Sequence, residues 1–266
     1  MRKFTDNRQR HFMQCIVCNA SAEANYCQQC GNKVNASRLT FKSVFTDFYQ
    51  RVFGFESRFG HTLIDLTVAP GKVVKAYING NRIQYMSPVG YLFWLVTVYM
   101  ILLSLFDIQL SDLVQTMATV PDQPANREQV RQTIELQGWI QENFRAIPFI
   151  MIPFMAFFQM LLFRKSGFNY IEHAVVALYG MAHPYIFGII VLLVYQFAGL
   201  NLQIWLMLVT TLYICFICHQ VYAGGVIVNF LKGILAQILA YVVMIFLAVV
   251  ILRGIIVFFP DLIGLN

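Results

Sequence analysis

The chain has 266 residues, 58% of them apolar and only 12% charged, with a formal net charge of +6. Soluble domains run at roughly 45–50% apolar and 25% charged, so this composition argues against a water-soluble globular protein and for a membrane class. Twelve of the 19 Lys and Arg residues lie in residues 1–87, against five Asp and Glu, so the positive charge is concentrated at the front of the chain.

"MRKFTDNRQRHFMQ" is polar and lacks the apolar core of a cleavable signal peptide, so the first membrane helix is expected to direct insertion itself. Next come Cys15, Cys18, Cys27 and Cys30, two Cys-x-x-Cys pairs with the spacing of a tetrahedral Zn²⁺ site. Gly31 follows the second pair, where a tight knuckle favours a residue that accepts positive φ. So short a segment cannot bury a core, and metal binding would supply its folding energy, on the order of 10 kcal/mol. The alternative of two disulfides requires an oxidising compartment, and the topology argued below places this segment in the cytoplasm. A nucleic-acid partner is not expected, because between Cys15 and Lys33 the only basic residue is Lys33 itself. The flanking Arg2, Lys3, Arg8, Arg10, Arg38 and Lys42 suit anionic lipid headgroups better.

Phe41, Val44, Phe45, Phe48 and Val52 recur at helical spacing, with Lys42, Asp47, Gln50 and Arg51 on the other side, which predicts an interfacial amphipathic helix. Pro70-Gly71 then breaks one helix, a short helix runs through Tyr77, and Gly80 ends it. Pro88 stands in the first turn of the first membrane helix, where its missing N–H costs nothing.

Five apolar stretches approach the roughly 20 residues a spanning helix needs: near 88–107, 146–163, 171–198, 202–222 and 231–252. Lys72, Lys75, Arg82, Arg164, Lys165 and Lys232 fall at alternate loops and place those loops in the cytoplasm. The N-terminus is then cytoplasmic, residues 108–145 form an external loop, and the C-terminus is periplasmic, with residues 253–266 as an interfacial tail. Within the loop, Asn126 and Gln129 form a capping-box-like pair, and Val130, Ile134 and Phe144 predict a helix across the outer mouth of the bundle. The expected organisation is a zinc ribbon at 1–37, interfacial amphipathic helices at 38–87 and a helical membrane domain at 88–266. The fold class is an all-α integral membrane protein of about five transmembrane helices.

Ionisable residues inside membrane helices are default functional candidates. Glu172 and His173 open the third helix and Cys218 and His219 close the fourth, so antiparallel packing would bring them to similar depth and pair Glu172 with His219. Glu172, Val176, Tyr179 and His183 share one helix face. Pro184 brings no N–H to the Gly180 carbonyl. The cluster can serve as interhelical hydrogen bonding, as a polar path for a small solute or lipid, or as a second metal site. Cys215, Cys218 and His219 also match the Cys-x-x-Cys-His of covalent haem attachment. They lie in an apolar helix near its inner end, and no haem is expected. Nothing resembles a catalytic set: there is no nucleophile elbow, no His-Glu-x-x-His and no phosphate-binding loop.

The order of the cysteine pairs, Thr62-Leu63, Pro70-Gly71, Tyr77-Ile78-x-Gly80-x-Arg82, Tyr85 and Pro88 resembles the bacterial membrane family catalogued as domain of unknown function 3667. "YIEHAVVALYGMAH" at 170–183 resembles a later stretch of that family, but has Tyr179 and Gly180 where the family runs richer in His and Phe. The resemblance implies a largely Bacteroidetes membrane protein with a zinc-ribbon-like start, and carries no biochemical activity. The functional expectation is a non-enzymatic inner-membrane scaffold or assembly partner, with one structural Zn²⁺ in a docking ribbon and another protein or further copies of itself as partner. The alternative is a transporter or a lipid- or small-solute-binding protein that uses the polar cluster.

Overall fold

The computed structural model of the protein describes residues 13–22, 26–32, 40, 58–109 and 146–258. The amphipathic segment around 41–52, the loop helix expected within 126–144 and the residues after 258 lie outside these ranges. The described chain opens on two short strands, β1 (Met13–Gln14) and β2 (Ser21–Ala22), paired antiparallel with Met13 opposite Ala22.

Two short helices follow, α1 (Arg58–Val68) and α2 (Pro70–Ile78), separated by Ala69 alone. Proline causes the break: its ring removes the N–H that would continue α1, while its fixed φ suits the first turn of α2. The same logic starts α3 (Pro88–Leu105), where the Ser87 hydroxyl caps the Gly90 N–H at 3.3 Å. Helix α4 (Ile147–Leu162) carries Pro153 in its interior and is followed by a 3₁₀ turn at Arg164–Ser166.

Helices α5 (Tyr170–Ala182) and α6 (Pro184–Ala198) meet at His183, where Pro184 interrupts the ladder, and together form one apolar run of 29 residues. Helix α7 (Gln203–Val221) and the long α8 (Val226–Phe258) complete the bundle.

Among the described residues, four helices are long and apolar enough to cross a membrane: α3, the joined α5–α6, α7, and α8 over Val226–Ala248. The second of the five expected spans, α4, is a shorter apolar helix of 16 residues. It packs along α5 and α8 and buries Met151, Met155, Ala156 and Gln159. Helix α8 starts at Val226, ahead of the expected 231, and its backbone stays helical through 253 to Phe258, so no break separates a tail at 253.

Small residues set the closest approaches, as they do where helices pack without a hydrophobic drive from the solvent. A Cβ at Gly180 would sit 3.4 Å from Ile217, one at Gly188 3.4 Å from Tyr99, and one at Gly233 3.3 Å from the Cys215 Cα. A Cβ at Gly188 would also lie 3.6 Å from Leu206, so, with Gly180 against Ile217, α5 and α6 run antiparallel to α7. Tyr77, Tyr85, Tyr91 and Tyr179 are fully buried, so the centre is aromatic and carries hydroxyls that need partners. The outer faces of α7 and α8 are apolar and exposed, with Trp205, Ile227 and Phe246 among them.

Candidate metal centre and the polar core of the bundle

The four N-terminal cysteines converge. Cys15 and Cys30 Sγ are 3.5 Å apart, Cys18 and Cys27 Sγ 3.4 Å, and all four sulfurs lie within 4.8 Å of one another. A tetrahedral ion with metal–sulfur bonds of about 2.3 Å separates its sulfurs by about 3.8 Å. All four cysteines are free thiols. The donor set therefore fits a metal ion, with a pair of thiolates offered by each Cys-x-x-Cys turn.

The two turns repeat the same local geometry. Cys15 Sγ accepts hydrogen bonds from the Val17 and Cys18 N–H groups, and Cys27 Sγ from those of Gln29 and Cys30. Cys18 and Cys30 each accept one further N–H, from Ala20 and Asn32. Each turn closes on a left-handed residue: Asn19 at φ 57° donates to the Cys15 carbonyl (2.8 Å), and Gly31 at φ 70° to the Cys27 carbonyl (2.8 Å). Gly31 was expected from its place after the second pair; Asn19 is its counterpart, and Asn tolerates that conformation better than most residues.

The electrostatics of the four thiols suit a cation. The N–H groups of Cys18 and Val17 lower the Cys15 thiol to about 6. At Cys30 the Asn32 N–H also favours the thiolate, but desolvation and the three neighbouring sulfurs outweigh it and push the thiol up to about 12. The first thiolate forms readily and the last only with a compensating charge, which a divalent ion supplies. Among the described residues this is the one group of three or more His, Cys, Asp or Glu side chains placed to share an ion. Cys218 and His219 join no such group.

The membrane polar residues sort differently from the sequence expectation. Glu172 is 5% exposed, and its Oε2 accepts the Asn169 N–H at 2.7 Å while Asn169 Oδ1 accepts the Glu172 N–H at 2.9 Å. This is a capping box, so the carboxylate serves its own helix end and no described contact joins it to His219. His219 Nδ1 is buried with no hydrogen-bond partner among the described residues, and its ring lies 6.2 Å from that of Phe230. His173, next to Glu172, pairs across helices instead: its Nδ1 is 2.7 Å from the Tyr222 hydroxyl. That hydroxyl also donates to Gln159 Oε1 at 3.4 Å, and Gln159 Nε2 reaches Cys218 Sγ at 4.0 Å. The Tyr222 ring stacks on Phe163 at 3.9 Å, and its carbonyl accepts from Asn229 Nδ2.

His183 is fully buried and uses both ring nitrogens. Thr67 Oγ1 donates to the Leu63 carbonyl at 2.8 Å, so it accepts at 3.1 Å from His183 Nε2–H. In the neutral imidazole this leaves Nδ1 as the acceptor for the Tyr91 hydroxyl at 2.9 Å. Tyr213 stacks on its face at 4.9 Å.

Sequence reading missed Gln159, Tyr222, Tyr91, Tyr213 and Thr67. Only Gln159 carried a signal, as the single amide in the otherwise apolar α4. The others are aromatic or hydroxyl residues whose polar role depends on which helix lies opposite.

Gly31, beside the metal centre, faces the turn between α2 and α3: a Cβ there would lie 4.0 Å from Ile83 Cδ1. No curated protein and no solved structure matches this chain. Residues 56–100, covering α1, α2, that turn and most of α3, match the family described as protein of unknown function (DUF3667), which supports the family that the Tyr77–Pro88 motifs resemble.

Proposed function

We propose that the protein is a non-enzymatic, multi-pass protein of the bacterial inner membrane whose cytoplasmic N-terminus carries one structural Zn²⁺ in a docking ribbon. The observation that carries this reading is the doubled Cys-x-x-Cys turn, four free thiols converging with their N–H···S bonds already in place. A ribbon so built has a fixed outer surface, and on it Ile16 is 51% exposed and Tyr26 60% exposed. Two large apolar side chains on a small metal-braced unit suit contact with another protein better than solvent. The bundle serves as the scaffold that holds this unit at the membrane.

The hydrogen bonding of the bundle supports a scaffold over a solute pathway. His183, His173 and Glu172 each direct their polar atoms at neighbouring residues.

Photo-crosslinkers at Ile16 and Tyr26, activated in living cells, test the docking role. One discrete protein adduct at both positions, lost in a Cys15→Ser/Cys27→Ser variant, supports it. Adducts to lipid alone, or protein adducts that persist without the cysteines, overturn it.

A further inference from the structure

The break between α1 and α2 creates two backbone groups with no helical partner. Pro70 has no N–H, so the Leu66 carbonyl loses its usual i+4 donor, and Gly71 N–H sits in the first turn of α2, where no carbonyl precedes it in register. At a water-exposed break, solvent would satisfy both. Here the protein does. The buried Tyr213 hydroxyl donates to the Leu66 carbonyl at 3.0 Å, and Gln220 Oε1 accepts the Gly71 N–H at 3.0 Å. Tyr213 and Gln220 stand two turns apart on one face of α7. The turn before α3 is treated the same way: the Met86 carbonyl accepts the Tyr179 hydroxyl at 2.6 Å, and the Met86 N–H donates to Thr62 Oγ1 at 2.8 Å.

Irregular backbone at membrane depth is tolerated only where protein supplies its hydrogen bonds, because hydrocarbon supplies none. The level of the break agrees. Thr67 reaches His183, midway along the 29-residue α5–α6 run, and the Leu66 carbonyl meets Tyr213, midway along α7. The outer face of α1 carries Ile64 and Val68, 60% and 69% exposed, one helical turn apart. The charged group between them is paired: Asp65 accepts from Lys72 Nζ at 3.1 Å, an ammonium on a side chain 60% exposed, and from the Tyr85 hydroxyl at 2.7 Å.

We propose that the α1–α2 hairpin is a membrane-inserted element, too short to span, whose outer face at Ile64 and Val68 packs against the acyl chains of the leaflet bordered by Arg164 and Lys165. At 11 and 9 residues, neither helix registers as a span by length. The inference does not depend on the ribbon or its partner.

Nitroxide labels at Val68→Cys and Ile64→Cys test it in the full-length, metal-loaded protein, reconstituted in vesicles of phosphatidylethanolamine and phosphatidylglycerol. Cys215 and Cys218 are buried, so wild-type protein treated in parallel gives the background. The expected result is collision with dissolved oxygen exceeding collision with a water-soluble nickel chelate at both labels, and the reverse at Asn79→Cys, just beyond α2. Dominance of the nickel chelate at Val68 and Ile64 would place the hairpin in water and overturn the proposal. Shielding from both reagents would mean that a protein, a second copy or another chain, covers this face, and would overturn it equally. Either label alone decides the outcome if the other variant does not fold.

Discussion

The Tyr222 hydroxyl and His173 Nδ1 lie 2.7 Å apart, and this contact ties the residue after α7 to the first turn of α5. Both side chains are buried, so neither can exchange its lost partner for water. Tyr222→Phe keeps the stack on Phe163 but removes the hydroxyl, and should lower stability in detergent by about 1–3 kcal/mol. His173→Phe should cost a similar amount, and the double variant less than the sum. Strict additivity in denaturant titrations would show that the pair is not coupled.

Purified protein should carry about one equivalent of zinc. Cys15→Ser/Cys27→Ser should lose it, and chelation should unfold the ribbon while the helical signal in circular dichroism stays nearly unchanged. Metal-free wild-type protein with a protease-resistant N-terminus would contradict the metal-braced ribbon.

Gly71 and Gly60 make a matched pair. A Cβ at Gly71 would come within 2.7 Å of the Gln220 carbonyl oxygen and Cβ, and backbone cannot swing away as a flexible side chain would. Gly71→Ala should therefore destabilise the protein by about 1–3 kcal/mol. A Cβ at Gly60 meets nothing within 4 Å. Gly60→Ala, in the first described turn of α1, should be neutral or stabilise by up to about 1 kcal/mol through backbone entropy. Equal effects at the two sites in thermal melts would show that α2 is not seated on α7.

The orientation is open to direct labelling. By the positive-inside rule, Arg164 and Lys165 in the α4–α5 turn are expected on the cytoplasmic side, and the turn at 199–202 on the other. In intact cells an impermeant maleimide should label a thiol introduced at Asn201 and miss one at Ser166. The opposite pattern would invert the protein and place the four cysteines in an oxidising compartment.

The sequence by itself determined whatever is local. Cysteine spacing sets a ligand pair on one turn, proline sets where α1, α5 and the helices after them stop and start, and apolar runs set the spans. Each of these is a property of a few adjacent residues, so the turn at Gly31, the start at Pro88 and the break at Pro70 were all legible in advance. Composition also announced the membrane class, though length alone could not decide whether α4 crosses. Only the tertiary structure decided the partners. Glu172 faced two possible uses, a distant histidine or its own helix end, and the capping box prevails because Asn169 is held three residues away at no cost in loop closure. His183 needed Thr67 from α1 and Tyr91 from α3, and the orphaned Leu66 carbonyl needed Tyr213 from α7. No spacing rule joins those positions, because hydrogen bonds between helices depend on their rotation and depth, which packing of the whole bundle sets.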